Sequence, residues 1–140
     1  MQRRGGRWET AHGPFRKIKV HDANWTILVN GVNLHRAGAE RLLRCFDFVP
    51  QARLDDVMVS YATPGGGVGP HVDSYDVFLL QGEGKRRWRI SPPDKKNNSR
   101  KREIIANPGD LLYLPPGWRH DGVALVMQFV SRTLQRTRTR

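Results

Sequence analysis

The chain has 140 residues, 38% of them apolar, which is enough for one domain with a single tightly wound core and too few for two. One cysteine, Cys45, excludes an internal disulfide framework and fits a reducing compartment; with no apolar run of membrane-spanning length and no secretory signal, a soluble cytoplasmic protein is expected. The formal charge of +11 raises the question of an anionic partner, yet 13 of the 24 basic residues lie in just two stretches, 85–102 and 132–140.

In chain order, residues 1–7 read as an N-terminal tail, 8–130 as one domain and 131–140 as a disordered basic tail. Trp25–Val29 reads as a strand. Leu34–Phe46 is the best helix candidate, with Leu34, Ala37, Arg41, Leu42 and Cys45 at partly helical spacing. Asp56–Ala62 alternates as a strand should, and Thr63–Pro70, rich in Gly with two Pro, can only be a loop. Tyr75–Leu80 is a strand, Gln81–Gly84 a turn, and Lys85–Ile90 the returning partner of a hairpin. Ser91–Arg102 is a polar surface loop. Ile104–Ile105 and Leu111–Leu114 are strands on either side of an Asn-Pro-Gly-Asp turn at 107–110. Pro115-Pro116-Gly117 turns the chain toward His120, and Val123–Val130 forms a last strand. Many short strands at this spacing favour an all-β sandwich or barrel, with one or two short helices in the N-terminal third.

The chemistry gathers at His71-Val72-Asp73. On a strand, residues i and i+2 share a face, so both side chains can aim at one point. His120, delivered by a distant segment, would complete two imidazoles and one carboxylate. Such a set leaves coordination positions open and suits non-haem Fe(II). The plain alternative is that both histidines are loop residues satisfied by backbone hydrogen bonds. His12, His21 and His35 have no partner spacing and are read that way.

A second clue lies in Lys85-Arg86-Arg87-Trp88-Arg89-Ile90. Alternation puts Lys85, Arg87 and Arg89 on one face and Arg86, Trp88 and Ile90 on the other, apolar one. A guanidinium carried into an apolar interior is costly unless it meets an anion. A dicarboxylate would supply one and would accept the bidentate fork; an internal Asp or Glu is the competing partner.

The stretch from Arg53 to Ile90, with its Thr63-Pro64-Gly65-Gly66-Gly67-Val68-Gly69-Pro70-His71-Val72-Asp73 core, closely resembles the bacterial ribosomal oxygenases. Trp8–Phe15 and Pro108–Gly122 resemble the same family, and the likeness runs from about residue 8 to residue 125. These are JmjC-type members of the cupin superfamily that hydroxylate an arginine of a large-subunit ribosomal protein. The resemblance implies a double-stranded β-helix, or jelly roll, with Fe(II), 2-oxoglutarate as cosubstrate and dioxygen. It places His71, Asp73 and His120 on the metal positions, and Arg86 and Ser60 on positions that hold the far carboxylate of 2-oxoglutarate. It implies a ribosomal protein as partner. The chain departs from the family in lacking a preceding segment and the later helical dimerisation and winged-helix regions, as a truncated member would. Its Ser91–Arg102 loop is also shorter and more basic, and its residues after Leu125 follow another pattern.

Two other readings compete. A non-catalytic cupin-like module would meet RNA or ribosomes through Lys85, Arg87, Arg89 and the 95–102 loop, with affinity falling steeply in salt. A different small-molecule cupin enzyme would leave Arg86 without a role.

Overall fold

The computed structural model describes residues 1–4, 6–93 and 101–135. Two antiparallel sheets face each other. One has four strands: β5 (His71–Val72), β10 (Arg119–Ala124), β7 (Arg86–Ser91) and β8 (Arg102–Ala106), in that spatial order. The other has five: β3 (Thr26–Val29), β4 (Leu54–Ala62), β11 (Gln128–Gln135), β6 (Asp76–Glu83) and β9 (Leu111–Leu114). The jelly-roll architecture expected from the resemblance is therefore present.

Alternation builds the core between the sheets. From the five-stranded sheet come Val77, Leu79 and Leu114; from the four-stranded sheet come Trp88, Ile90 and Ala106. Val77 is fully buried, and a side chain of its kind contributes about 1.5–3 kcal/mol by leaving water. Along β7 the residues alternate, with Arg86, Trp88 and Ile90 buried and Arg87, Arg89 and Ser91 facing outward. That face assignment matches the expectation and carries Arg86 inward.

Several local expectations are corrected. β6 and β7 are not a hairpin; they lie in different sheets. The reason is that both edges of β6 are occupied, one by β9 and the other by β11, so no backbone groups remain for β7. Three of the four residues expected as a hairpin turn, Gln81, Gly82 and Glu83, belong to β6, and only Gly84, at φ 67, and Lys85 carry the chain to the opposite sheet. The expected single strand Val123–Val130 is two strands. β10 ends at Ala124, and β11 begins at Gln128 in the opposite sheet.

Strands also occur near both ends of the chain. β1 (Gln2–Arg4) pairs with β2 (Arg7–Glu9), and Met1 and Thr26 exchange backbone hydrogen bonds of 2.7 and 2.8 Å. At the other end β11 continues to Gln135 between β4 and β6, five residues past the expected boundary. Polar composition suggested disorder there, but a central strand needs only its backbone groups paired, and Phe129, Val130 and Thr133 favour extended structure. Residues 136–140, and 94–100 of the basic loop, lie outside the described residues.

The helix is shorter than expected. α1 spans Ala37–Arg44, while Val32–Leu34 forms a separate 3-10 turn. Arg36, at φ −135 and ψ 115, is extended and caps the helix, so helical backbone cannot begin earlier. Leu34 is consequently 78% exposed instead of packing on the core. No helix among the described residues is long and apolar enough to cross a membrane.

Candidate metal centre

The glycine-rich loop hands the chain from β4 to β5 under tight backbone control. Gly65 N–H donates to the Ala124 carbonyl and Ala124 N–H to the Gly66 carbonyl, each at 2.8 Å. These bonds tie the loop to the end of β10, the strand that bears His120. A Cβ on Gly66 would collide with the Trp25 carbonyl, so only glycine lets the loop close here.

β5 and β10 then pair with His71 directly opposite His120. Their ring centroids are 4.1 Å apart. Asp73 follows β5 on the same side. Its Oδ2 lies 3.4 Å from His120 Nε2 and 3.9 Å from His71 Nε2. One donor atom from each of the three residues falls within 4.8 Å of the others. Among the described residues this is the one group of three or more His, Cys, Asp or Glu side chains so gathered. His12 and His35 are exposed and His21 half-buried, and none belongs to the group.

Each imidazole is oriented by the carbonyl two residues before it. His71 Nδ1 lies 3.0 Å from the Gly69 carbonyl, and His120 Nδ1 lies 3.0 Å from the Trp118 carbonyl. A carbonyl can only accept, so Nδ1 carries the proton and Nε2 presents its lone pair. Burial pushes the His120 pKa below its usual value, against a smaller upward pull from the Trp118 carbonyl. The neutral ring that a metal requires is thereby favoured. These orienting carbonyls were not anticipated; an i−2 backbone group leaves no mark in residue identity.

Arg86 is 5% exposed, on the inner face of β7. Its Nη2 donates to Ser60 Oγ at 3.3 Å, and its guanidinium lies 5.4 Å from the centroid of the Trp88 ring. Trp88 in turn stands 6.1 Å from the His120 ring. The order Arg86, Trp88, His120 thus runs across the interior, with the cation at one end and the triad at the other. Burial lowers the Arg86 pKa to about 10, which leaves it a full cation at neutral pH. Ser60, which the residues alone did not single out, is 4% exposed and on the matching face of β4.

A groove of about 1020 Å3 opens beside β4, walled by the segment Thr10–Lys19 and floored by Asp55, Asp56, Met58 and Tyr75. Sequence reasoning missed it, because adjacent acids at a strand start are common on any surface. On the far face of β7, Arg89 and Arg87 lie 3.0 and 4.0 Å from Glu103 Oε2, which offsets part of the basic stripe.

The JmjC domain model matches residues 41–138. The chain is 42% identical over 134 residues to the ribosomal protein uL16 3-hydroxylase of Escherichia coli, an alignment covering 86% of this chain and 36% of the relative. A probable ribosomal oxygenase of Haemophilus influenzae is 41% identical over 115 residues, covering 71% and 28%. The chain thus spans roughly a third of the length of these curated relatives. Among solved structures, the E. coli ribosomal oxygenase YcfD in complex with cobalt and succinic acid superposes with a TM-score of 0.91 at 38% identity, covering 99% of this chain and 39% of that one. YcfD with cobalt and 2-oxoglutarate gives 0.85 at 39% identity, with the same coverage. A cupin superfamily protein of Desulfitobacterium hafniense shares the fold alone, with a TM-score of 0.55 at 13% identity over 86% of this chain and 84% of that one. The family match reaches past Leu125, through the residues whose pattern had suggested a departure, and β11 fills a central strand there. By sequence and by fold, the chain belongs to the JmjC domain family.

Proposed function

We propose that the protein is an Fe(II)- and 2-oxoglutarate-dependent oxygenase that hydroxylates an arginine side chain of a ribosomal protein in the cytoplasm. The observation that carries this reading is the convergence of His71, Asp73 and His120 at one end of an interior whose other end is the buried guanidinium of Arg86. The donor set fits the group. Two neutral imidazoles and one carboxylate satisfy a divalent iron while leaving positions open for a cosubstrate and oxygen.

When bound, Fe(II) supplies the redox chemistry that couples oxidative decarboxylation of 2-oxoglutarate, giving succinate and carbon dioxide, to insertion of one oxygen atom into a substrate C–H bond. The chain's own residues position the reactants. His71 and His120 offer Nε2 because Gly69 and Trp118 hold their Nδ1 protons. Arg86 and the Ser60 hydroxyl receive the far carboxylate, an anion that relieves the cost of a buried cation. Trp88, which stands between Arg86 and His120, walls the space between them and would keep water from it. The YcfD complexes with cobalt and 2-oxoglutarate and with succinic acid support this assignment of ligands.

The test is incubation with Fe(II), 2-oxoglutarate and the ribosomal protein, followed by mass spectrometry for one added oxygen on arginine. Succinate should accumulate in step with the modified product. A His71→Ala variant with undiminished turnover would sink the mechanism.

A further inference from the structure

We infer that Trp8, on the N-terminal hairpin, is a positioning residue for His71, acting through the Gly69 carbonyl. The inference rests on the triad being a metal centre. Trp8 lies outside residues 41–138, the part matched by the family model.

Trp8 sits on β2, directly opposite Arg3 of β1. β1 is anchored in turn: Gln2 bridges to Trp25, and Met1 and Thr26 exchange backbone hydrogen bonds. The hairpin that carries the indole is thus tied by its backbone to the start of β3. The indole covers the glycine loop. A Cβ on Gly69 would stand 2.8 Å from Trp8 Nε1 and 2.9 Å from Cδ1, and one on Gly67 would stand 3.6 Å from Cη2. The ring therefore occupies the space that a side chain at Gly69 would fill and lies within ordinary contact distance of Gly67, whose own Cβ position is closed by the Gly122 carbonyl.

Gly69 has φ +79, a conformation glycine enters freely and leaves as freely. Its carbonyl receives the His71 Nδ1 proton at 3.0 Å. A flexible residue thus holds the proton that fixes which nitrogen faces the ion. On the other arm, the Trp118 carbonyl follows Gly117, whose N–H donates to the Asp73 carbonyl at 2.8 Å. Backbone bonds tie the His120 arm at Gly117 and the His71 arm at Gly65, Gly66 and the β5–β10 pairing; at Gly69, between those last two ties, the indole is the surface packed on the backbone. An orienting partner of this kind typically alters metal affinity by about 10- to 100-fold.

The experiment is Co(II) titration of the full chain, following both affinity and the visible absorption spectrum of the bound ion. Trp8→Ala should weaken Co(II) binding about tenfold and change the spectrum, and Trp8→Phe, which keeps a flat ring on the glycines, should restore most of both. Phe46→Ala, which removes a buried ring remote from the loop, should lower thermal stability without moving the spectrum. Wild-type affinity and spectrum in Trp8→Ala would overturn the inference. Should Trp8→Ala fail to fold, Trp8→Leu is compared with Trp8→Phe, and equal Co(II) affinity and spectra for the two would overturn it. The metal reading fails separately, and takes the inference with it, if His71→Ala binds Co(II) as tightly as the wild type.

Discussion

His71 and His120 are direct cross-strand partners, 4.1 Å apart between ring centroids, although one follows a glycine loop and the other a Pro-Pro-Gly turn. A sheet register therefore sets their separation, and a slip of one residue by either strand would turn its ring to the opposite face, away from the other. The loop-to-β10 hydrogen bonds at Gly65, Gly66 and Ala124 guard that register. Asp73, just past the end of β5, completes the set without any further element.

His120→Ala is expected to lower Co(II) affinity by more than about 100-fold, beyond the loss seen when only an orienting partner is removed. The fold should persist, since the ring contributes one buried contact among many. Calorimetric titration with Co(II), alongside circular dichroism, checks both halves.

Arg86→Met separates the cosubstrate from the metal. The downward displacement of the Arg86 pKa from 12.5 to about 10 corresponds to about 3 kcal/mol set against the charged form by desolvation. Removing the charge should leave the ligand-free protein at least as stable. The same change should abolish the rise in melting temperature that 2-oxoglutarate produces in the wild type. Thermal melts with Mn(II), with and without 2-oxoglutarate, make the comparison. A rise of equal size in the variant would remove Arg86 from the cosubstrate site.

Gly122→Ala should disturb the centre from the strand side. A Cβ at Gly122 would run into the Trp88 ring, which is itself buried and cannot swing away. Overpacking of this kind costs about 1–3 kcal/mol. His120 lies two residues away on the same face of β10, so Co(II) affinity should fall with stability. Urea denaturation and Co(II) titration measure the two effects.

Tyr75 should titrate above its ordinary value of 10, because burial and then the charges of Asp55 and Asp56 disfavour the tyrosinate. Its contribution to stability is constant below pH 10. Above that, the native state keeps a proton that the unfolded state has released, so stability declines as pH rises through the folded value. Asp55→Asn should bring the Tyr75 pKa down part of the way, with burial and the Asp56 charge holding the remainder. Ultraviolet difference titration of wild type and variant reads the change directly.

Residue identity and spacing singled out the candidate metal ligands and the inward-facing Arg86. His71, Asp73 and Arg86 were legible because period-two alternation assigns side chains to faces wherever a strand runs. The all-β class followed from short extended runs broken by Gly and Pro, for the same local reason. Partnership between strands was decided by the tertiary structure alone. β6 and β7 read as a hairpin because nearness in sequence is the only pairing signal a single chain displays, yet β9 and β11 hold both edges of β6. The strand role of 131–135 was hidden likewise, since backbone groups pair regardless of how polar the side chains are. The carbonyls that orient His71 and His120, and the indole lying over Gly69, depend on where backbone atoms come to rest after the two sheets close. Such contacts arise from distances between segments remote in the chain, and only the folded molecule contains those distances.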